Sequence, residues 1–334
     1  MRGNDINGAL YNDIRSFSMC SHQNNYLISA IVSVYNCERF IKGCIEDLLN
    51  QTIATRVEIV IINSGSQQNE EAIIKHYQKK HPNILYLKTE QRETIYAAWN
   101  RAIKISSGKY ITNANSDDRH RKDAFEIMSR VLDNNSDIDV VYPSYKIAEK
   151  ENETFENSKS EEYYDSPAYD RRRMLFQCLP GPFPMWRKSI HEIFGYFDQC
   201  YQVAGDHEFW LRISKSCNLY NINEYLGLYY RNPKGGEFRE PVLTKKEAVK
   251  LTNSYIESEF IPENCNNIEL IKDIKKRQSD FLFRSADFFF FQNEHELARK
   301  YALKSIACKG NYFNNIKLIT YCMLPQRYFE KILW

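Results

Sequence analysis

Between residues 27 and 142, short aliphatic and β-branched runs alternate with segments of helical periodicity, and this alternation narrows the possible folds more than any other feature. The runs are Leu27 to Val34, Val57 to Ile62, Ile84 to Leu87, Tyr110 to Thr112 and Ile138 to Tyr142. They are apolar almost throughout rather than at every second residue, which is the pattern of strands buried on both faces. Between the first two, Phe40, Ile41, Cys44, Ile45, Leu48 and Leu49 fall on one helical face, with Asn36 ahead of them as a candidate cap. Residues 69–81 and 93–108 repeat the pattern, with Ile73 and Tyr77 in one and Ala98, Trp99 and Ala102 in the other. The order β-α-β-α-β-α-β predicts an α/β fold, with a mainly parallel central sheet and helices on both faces. Ligands of such sheets bind beyond the carboxyl ends of the strands.

The flanks read differently. Residues 1–25 are polar and aperiodic, which predicts a flexible N-terminal arm; 26–235 hold the α/β domain, and 236–334 read as an all-helical C-terminal region. Residues 150–170 are acidic and without period, the signature of a long surface loop. Of the 334 residues 43% are apolar and 26% charged, an ordinary globular mix, and a net charge of +2 provides no single-sign field for a nucleic-acid partner. The nine cysteines form no C-x-x-C pair, so reduced thiols in a cytoplasm are expected. No run approaches the roughly 18 apolar residues that span a bilayer, and the start lacks a signal pattern. The tail NNIKLITYCMLPQRYFEKILW suits a peripheral membrane contact, although a helix packed on the catalytic domain is the commoner arrangement.

Three strand ends carry polar tips: Tyr35-Asn36, Asn63-Ser64, and Asn115-Ser116-Asp117-Asp118. Singly, each reads as caps and turns. Together they would meet in one crevice, where Tyr35 could lie against a nucleobase and Asn63 or Ser64 could hydrogen-bond it. Asp117 and Asp118 could bind Mg²⁺ or Mn²⁺, which prefer carboxylate and phosphate oxygens. No G-x-x-x-x-G-K-[ST] and no G-x-G-x-x-G follows any strand, so neither a phosphate-cradling loop nor a dinucleotide fingerprint is present, and an oxidoreductase is excluded. A diphosphate here would need a metal.

In order and spacing, SVYN, EIVIINSGS, AAWNRAI, GKYI and NSDD resemble the family 2 glycosyltransferases of the GT-A fold, over about residues 27–232. The resemblance implies a Rossmann-like sheet, a nucleotide-sugar donor with a UDP-sugar first, a divalent metal, and a glycan or lipid-linked acceptor. It assigns Asp117 to the metal, Asn115 and Asp118 to the donor beside Tyr35, Asn36, Asn63 and Ser64, and, through AGDHEFWLRI, Asp206 to the catalytic base. The chain departs from the family where Asn63-Ser64 replaces an Asp pair, Asn115 replaces the first Asp of the acidic loop, Gly205 replaces Glu, and Asn232 stands near a metal-binding His. One base opposite the leaving group implies inversion at the anomeric carbon, by the logic that separates inverting from retaining glycosidases. Read alone, GDHEFW is a helix start with a capping Asp, and Glu208 is the rival base. His120, His207, Arg187 and Arg212 read as structural. The alternative from another class is an inactive relative that binds glycans or a protein, motivated by the same departures.

Overall fold

The structure is a computed structural model describing residues 26–235, 239–262, 265–308 and 312–323; the expected N-terminal arm and the last residues of the tail lie outside these. Strands β1 (Ile28–Val34), β2 (Val57–Ser64), β3 (Ile84–Thr89) and β4 (Tyr110–Asn113) pair in parallel in the order β3-β2-β1-β4. The helices between them are α1 (Glu38–Leu49), α2 (Glu70–Gln78) and α3 (Ile95–Ile105).

Alternate residues of the same strands feed two different cores, which is why the strands read as continuous apolar runs. Ile31, Val60 and Ile62 pack with Ala98, Trp99 and Ala102 of α3 on one face. Ala30, Val32, Ile59 and Ile61 pack with Phe40, Ile41, Cys44 and Ile45 of α1 on the other. Thr94 caps α3, its hydroxyl accepting from the Ala97 N–H at 3.2 Å. Asn36 does not cap α1. The cap position is Cys37, and Asn36 sits in the left-handed region at φ 50°, its amide oxygen accepting from the Gln67 N–H at 2.9 Å.

Beyond β4 the sheet changes direction. Strands β5 (Arg119–His120), β6 (Val140–Ala148), β7 (Tyr163–Tyr164), β8 (Met185–Arg187) and β9 (Leu219–Tyr230) complete nine strands among the described residues. The short β8 is antiparallel to both β4 and β6, and β9 runs parallel to β6 with a bulge around Ser144. Helix α4 (Ala124–Asn134) packs under this half, and α5 (Arg171–Met174), α6 (Ile190–Phe194) and α7 (Gly205–Ile213) lie between the later strands. The helical region follows as α8 (Pro241–Tyr255), a π turn (Ile256–Phe260), α9 (Ile268–Phe291), α10 (His295–Ala307) and α11 (Tyr312–Met323). Leu251, Ile256 and Phe260 join the core of α3 and α7. A third core of Leu282, Phe289, Ala298, Tyr301 and Leu318 holds α9 to α11.

The amino ends of β1, β2 and β4 are tied by one buried carboxylate. Glu58 accepts from the Gly108 N–H at 3.1 Å and makes short bonds with the Ser29 hydroxyl and the Ser107 N–H. A Cβ at Gly108 would lie 2.6 Å from the Ser29 nitrogen and 2.7 Å from the Ile28 carbonyl carbon. Both atoms belong to one peptide of β1, buried backbone that cannot turn aside as a flexible side chain would, so Gly108→Ala is expected to cost about 1–3 kcal/mol, read as a lowered urea midpoint.

Candidate functional site

The carboxyl ends of β1, β2 and β4 open onto a cleft of about 920 Å³ whose walls include Tyr35, Ser64, Arg92, Ser116, Asp117 and Asn232. Its acidic loop is built around the Arg119 side chain, which is fully buried. One guanidinium nitrogen donates to the carbonyls of Ser116 at 2.8 Å and Asp118 at 2.6 Å; the other donates to the Phe40 carbonyl at 3.3 Å and the Asn152 amide oxygen at 2.8 Å. The loop is thus gripped from both sides of Asp117. Gly43 makes room for the grip, since a Cβ there would stand 2.5 Å from the same guanidinium.

The two aspartates then part company. Asp118 is buried, with one oxygen accepting from the Tyr230 N–H at 3.0 Å and the other from the Asn115 amide at 2.9 Å. Burial and the neighbouring Asp117 charge raise its carboxyl well above the ordinary range, only partly offset by those two donors. Asp118 and Asn115 therefore fasten the acidic loop to β9. Asp117 faces the cleft, and its Oδ2 accepts from the Asn232 amide at 2.8 Å. The Asn232 amide oxygen accepts from the Lys234 N–H at 3.0 Å, which fixes the way the amide points.

The second tip divides in the same manner. Asn63 is 1% exposed, its amide oxygen accepting from the Ser66 N–H at 2.9 Å and its amide nitrogen donating to the Tyr86 hydroxyl at 3.1 Å. It shapes the turn through Gly65, at φ +65°, rather than the cleft surface. Ser64 borders the cleft, but its hydroxyl is itself buried and has no partner among the described residues. Tyr35 is covered by the Arg92 guanidinium at 4.2 Å from the ring centroid. Cys37, also on the wall, has its thiol pushed up to about 11 by burial and stays protonated at neutral pH.

Asp206 sits in the first turn of α7, half-buried, and its Oδ1 accepts from the Tyr96 hydroxyl at 3.2 Å. Burial raises its carboxyl, against the lowering effect of the His207 N–H, the His207 ring and the Tyr96 hydroxyl. A Cβ at position 205 would meet the Tyr96 ring at 2.7 Å, which accounts for glycine there. Tyr96 follows Arg92, Glu93 and Ile95, which line the cleft. Of the residues singled out in the sequence, Tyr35, Asn36, Ser64 and Asp117 line the cleft; Asn63, Asn115 and Asp118 stand behind its surface, and Asp206 adjoins the Ile95 wall through Tyr96.

The rivals have other employment. Glu208 is gripped by Arg212 through two bonds of 2.9 Å and accepts from the Tyr255 hydroxyl at 3.1 Å. Buried His207 donates to the Met174 carbonyl at 2.6 Å, and buried His120 pairs with Asp47 at 3.2 Å. Arg187 donates to the carbonyls of Leu132, Asn135 and Ile138 at the end of α4. Sequence reasoning missed Arg119, Tyr96 and Arg92; a glycine inside the apolar pattern of α1 was the one local trace of the first.

Residues 29–194 match the family model for glycosyl transferase family 2. An uncharacterized glycosyltransferase of Methanocaldococcus jannaschii is 26% identical over 240 residues, which cover 71% of this chain and 80% of that protein. The chondroitin synthase of Escherichia coli is 26% identical over 198 residues, 59% of this chain but only 28% of the synthase. The minor teichoic acid biosynthesis protein GgaB of Bacillus subtilis is 23% identical over 285 residues, 85% of this chain and 30% of GgaB. Among solved structures, S. aureus TarS 1-349 in complex with UDP-GlcNAc superposes with a TM-score of 0.63 at 17% identity, covering 84% of this chain and 81% of that one. A mannosyltransferase of Pyrobaculum calidifontis in complex with GDP-Man and Mn²⁺ gives 0.56 at 12% identity, covering 97% and 90%. The GT-A fold is shared with both, and in this chain a helical C-terminal region follows it.

A guanidinium buried among carbonyls cannot be removed cheaply. Arg119→Met, which leaves these oxygens without a donor, is expected to lose about 1–3 kcal/mol of stability, and Gly43→Ala about 1–3 kcal/mol by displacing the same side chain, both measured by urea unfolding.

Proposed function

The chain belongs to the glycosyltransferases of family 2, and we propose that it moves a sugar from a nucleoside diphosphate sugar to an acceptor hydroxyl with inversion at the anomeric carbon. The observation that carries this reading is Asp117, held by the Arg119-gripped loop with its carboxylate in a cleft at the strand ends. Next to it, Tyr35 offers an aromatic face to a base. The UDP-GlcNAc bound by TarS supports a UDP-sugar as the first donor to try.

One carboxylate with an oxygen already engaged by Asn232 suits a hard cation whose other ligands are the donor's phosphate oxygens and water. Among the described residues no group of three His, Cys, Asp or Glu side chains forms a cage, so the donor itself would complete the coordination. A Mg²⁺ or Mn²⁺ ion bound there supplies Lewis-acid stabilisation of the departing diphosphate. Asp206 takes the proton of the attacking acceptor hydroxyl, and Tyr96 keeps that carboxylate oriented. Burial raises Asp206 towards the working pH, which makes it a better proton acceptor than a solvated carboxylate.

The polysaccharide and teichoic acid names among the relatives support a glycan or lipid-linked acceptor, in polysaccharide or glycoconjugate synthesis. Among the described residues no helix is long and apolar enough to cross a membrane. Exposed Phe291, Leu303 and Ile316 on α9 to α11 support a peripheral contact with a membrane that presents such an acceptor, at the cytoplasmic face.

Donor hydrolysis and transfer across a panel of nucleotide sugars with Mn²⁺ or Mg²⁺ test the reading. Asp117→Ala is expected to weaken metal-dependent UDP binding at least tenfold. Asp206→Asn is expected to lower kcat by about 10²–10⁴ while leaving UDP affinity within about threefold. Binding without turnover in the unaltered protein would instead favour a non-catalytic glycan- or protein-binding relative. The groups facing Asp206 are the Tyr96 hydroxyl, the His207 ring and the Cys178 thiol. Because its carboxyl is raised, the base is lost as pH falls through that raised value, so kcat declines on the acid side at a higher pH than a solvated Asp, near about 3.9, would give.

A further inference from the structure

The segment that carries Asp206 is held by a residue from the helical region. Glu247 of α8 reaches the loop ahead of α7, where one carboxylate oxygen accepts from the N–H groups of Val203 at 3.0 Å and Ala204 at 2.9 Å. The other accepts from the Gln202 N–H at 2.9 Å. Ala204 is the N-cap of α7 and has no side chain with which to cap it. A helix start leaves N–H groups unpaired and carries a partial positive charge, so an anion is the natural partner there. In this chain the anion arrives from more than forty residues downstream.

The carboxylate is itself rigidly presented. Further along α8, the Thr252 hydroxyl donates to the Leu175 carbonyl at 2.9 Å, and Leu251 is buried in the core shared with α3 and α7. The Tyr255 hydroxyl donates to Glu208 at 3.1 Å, so α8 also grips α7 beyond its first residue. Between the two grips lies Asp206, whose other neighbour is Tyr96, pressed against Gly205. A side chain two residues from the start of a helix points wherever the entering backbone directs it. Here three hydrogen bonds to one carboxylate direct that backbone.

We propose that Glu247 is a positioning residue for the base: by holding the Gln202–Ala204 backbone it keeps the Asp206 carboxylate against the Tyr96 hydroxyl, in line for the acceptor. This rests on the reading of Asp206 as the base. The three N–H groups that Glu247 holds stand apart from the cleft wall, so its effect falls on the proton-transfer step and not on donor binding. The helical region is then part of the catalytic apparatus.

Transfer kinetics of the full chain test this. Glu247→Gln keeps the size and one acceptor but removes the charge and the second oxygen. It is expected to lower kcat at least tenfold with donor KM within twofold, and to change the residual rate of Asp206→Asn less than twofold, because two residues acting as one unit are not additive. Glu247→Asp, which retains the anion, is expected to recover part of the rate, and it stands in should the glutamine variant fail to fold. Wild-type kcat in Glu247→Gln, a parallel loss of donor affinity, or an undiminished effect on the Asp206→Asn background would each overturn the proposal. A fast Asp206→Asn enzyme would sink the base assignment itself; a slow one beside a fast Glu247→Gln sinks only the positioning role.

Discussion

The site depends on a single buried cation. Placing the Arg119 guanidinium inside the protein costs several kcal/mol, and its partners are carbonyl and amide oxygens rather than a facing carboxylate. That choice has a consequence for Asp117. Among the described residues no carboxylate is bonded to Arg119, so Asp117 is not drawn onto it. Because the backbone satisfies the guanidinium instead, the loop is rigid while its one outward carboxylate is left for a ligand.

The same separation of tasks recurs around the cleft. Asn63, Asn115 and Asp118 use their side chains on the protein itself, whereas Tyr35 and Asp117 lie on the cleft wall. The replacement of carboxylates by Asn63 and Asn115 is then compatible with a working site, since neither residue lies on the cleft wall. Arg39, Lys42, Arg92, Lys234 and Arg239 line the cleft against Glu38, Glu93 and Asp117, and Glu93 is paired with Arg101. An excess of cations favours a phosphorylated ligand.

The four parallel strands and their helices were legible because burial on both faces leaves an uninterrupted apolar signal. Strands β5, β7 and β8 were not, since two or three residues carry no period. Strand β9 was hidden by Asn221, Asn223 and Glu224, tolerated where its outer residues are exposed. In the site, Asp117 could be found from its place after a strand. The duties of Asp118 could not, because its partner is the backbone of Tyr230, 112 residues away. Arg119 was invisible for a similar reason, as a buried arginine is recognised only by the scattered carbonyls it serves.

Distance along the chain also explains why the helical region read as an appendage. Its own core, Leu282 with Phe289 and Ala298, is local and periodic, and it has no need of the sheet. Helix α8 is different: it contributes Leu251 to the core of α3 and α7, and Glu247 to the loop before Asp206. The spacing of apolar residues along α8 indicates which of its faces is buried but not what that face meets. A carboxylate on a helix is usually solvated, and only the three N–H groups that converge on Glu247 distinguish it from its exposed neighbour Lys246. Asp206 therefore stands between two elements that fold by different rules: α3, laid on the sheet by its apolar stripe, which brings Tyr96, and α8, held by side-chain bonds to α7, which brings Glu247. Tyr96 and Glu247 both bear on Asp206 from outside the lining of the cleft.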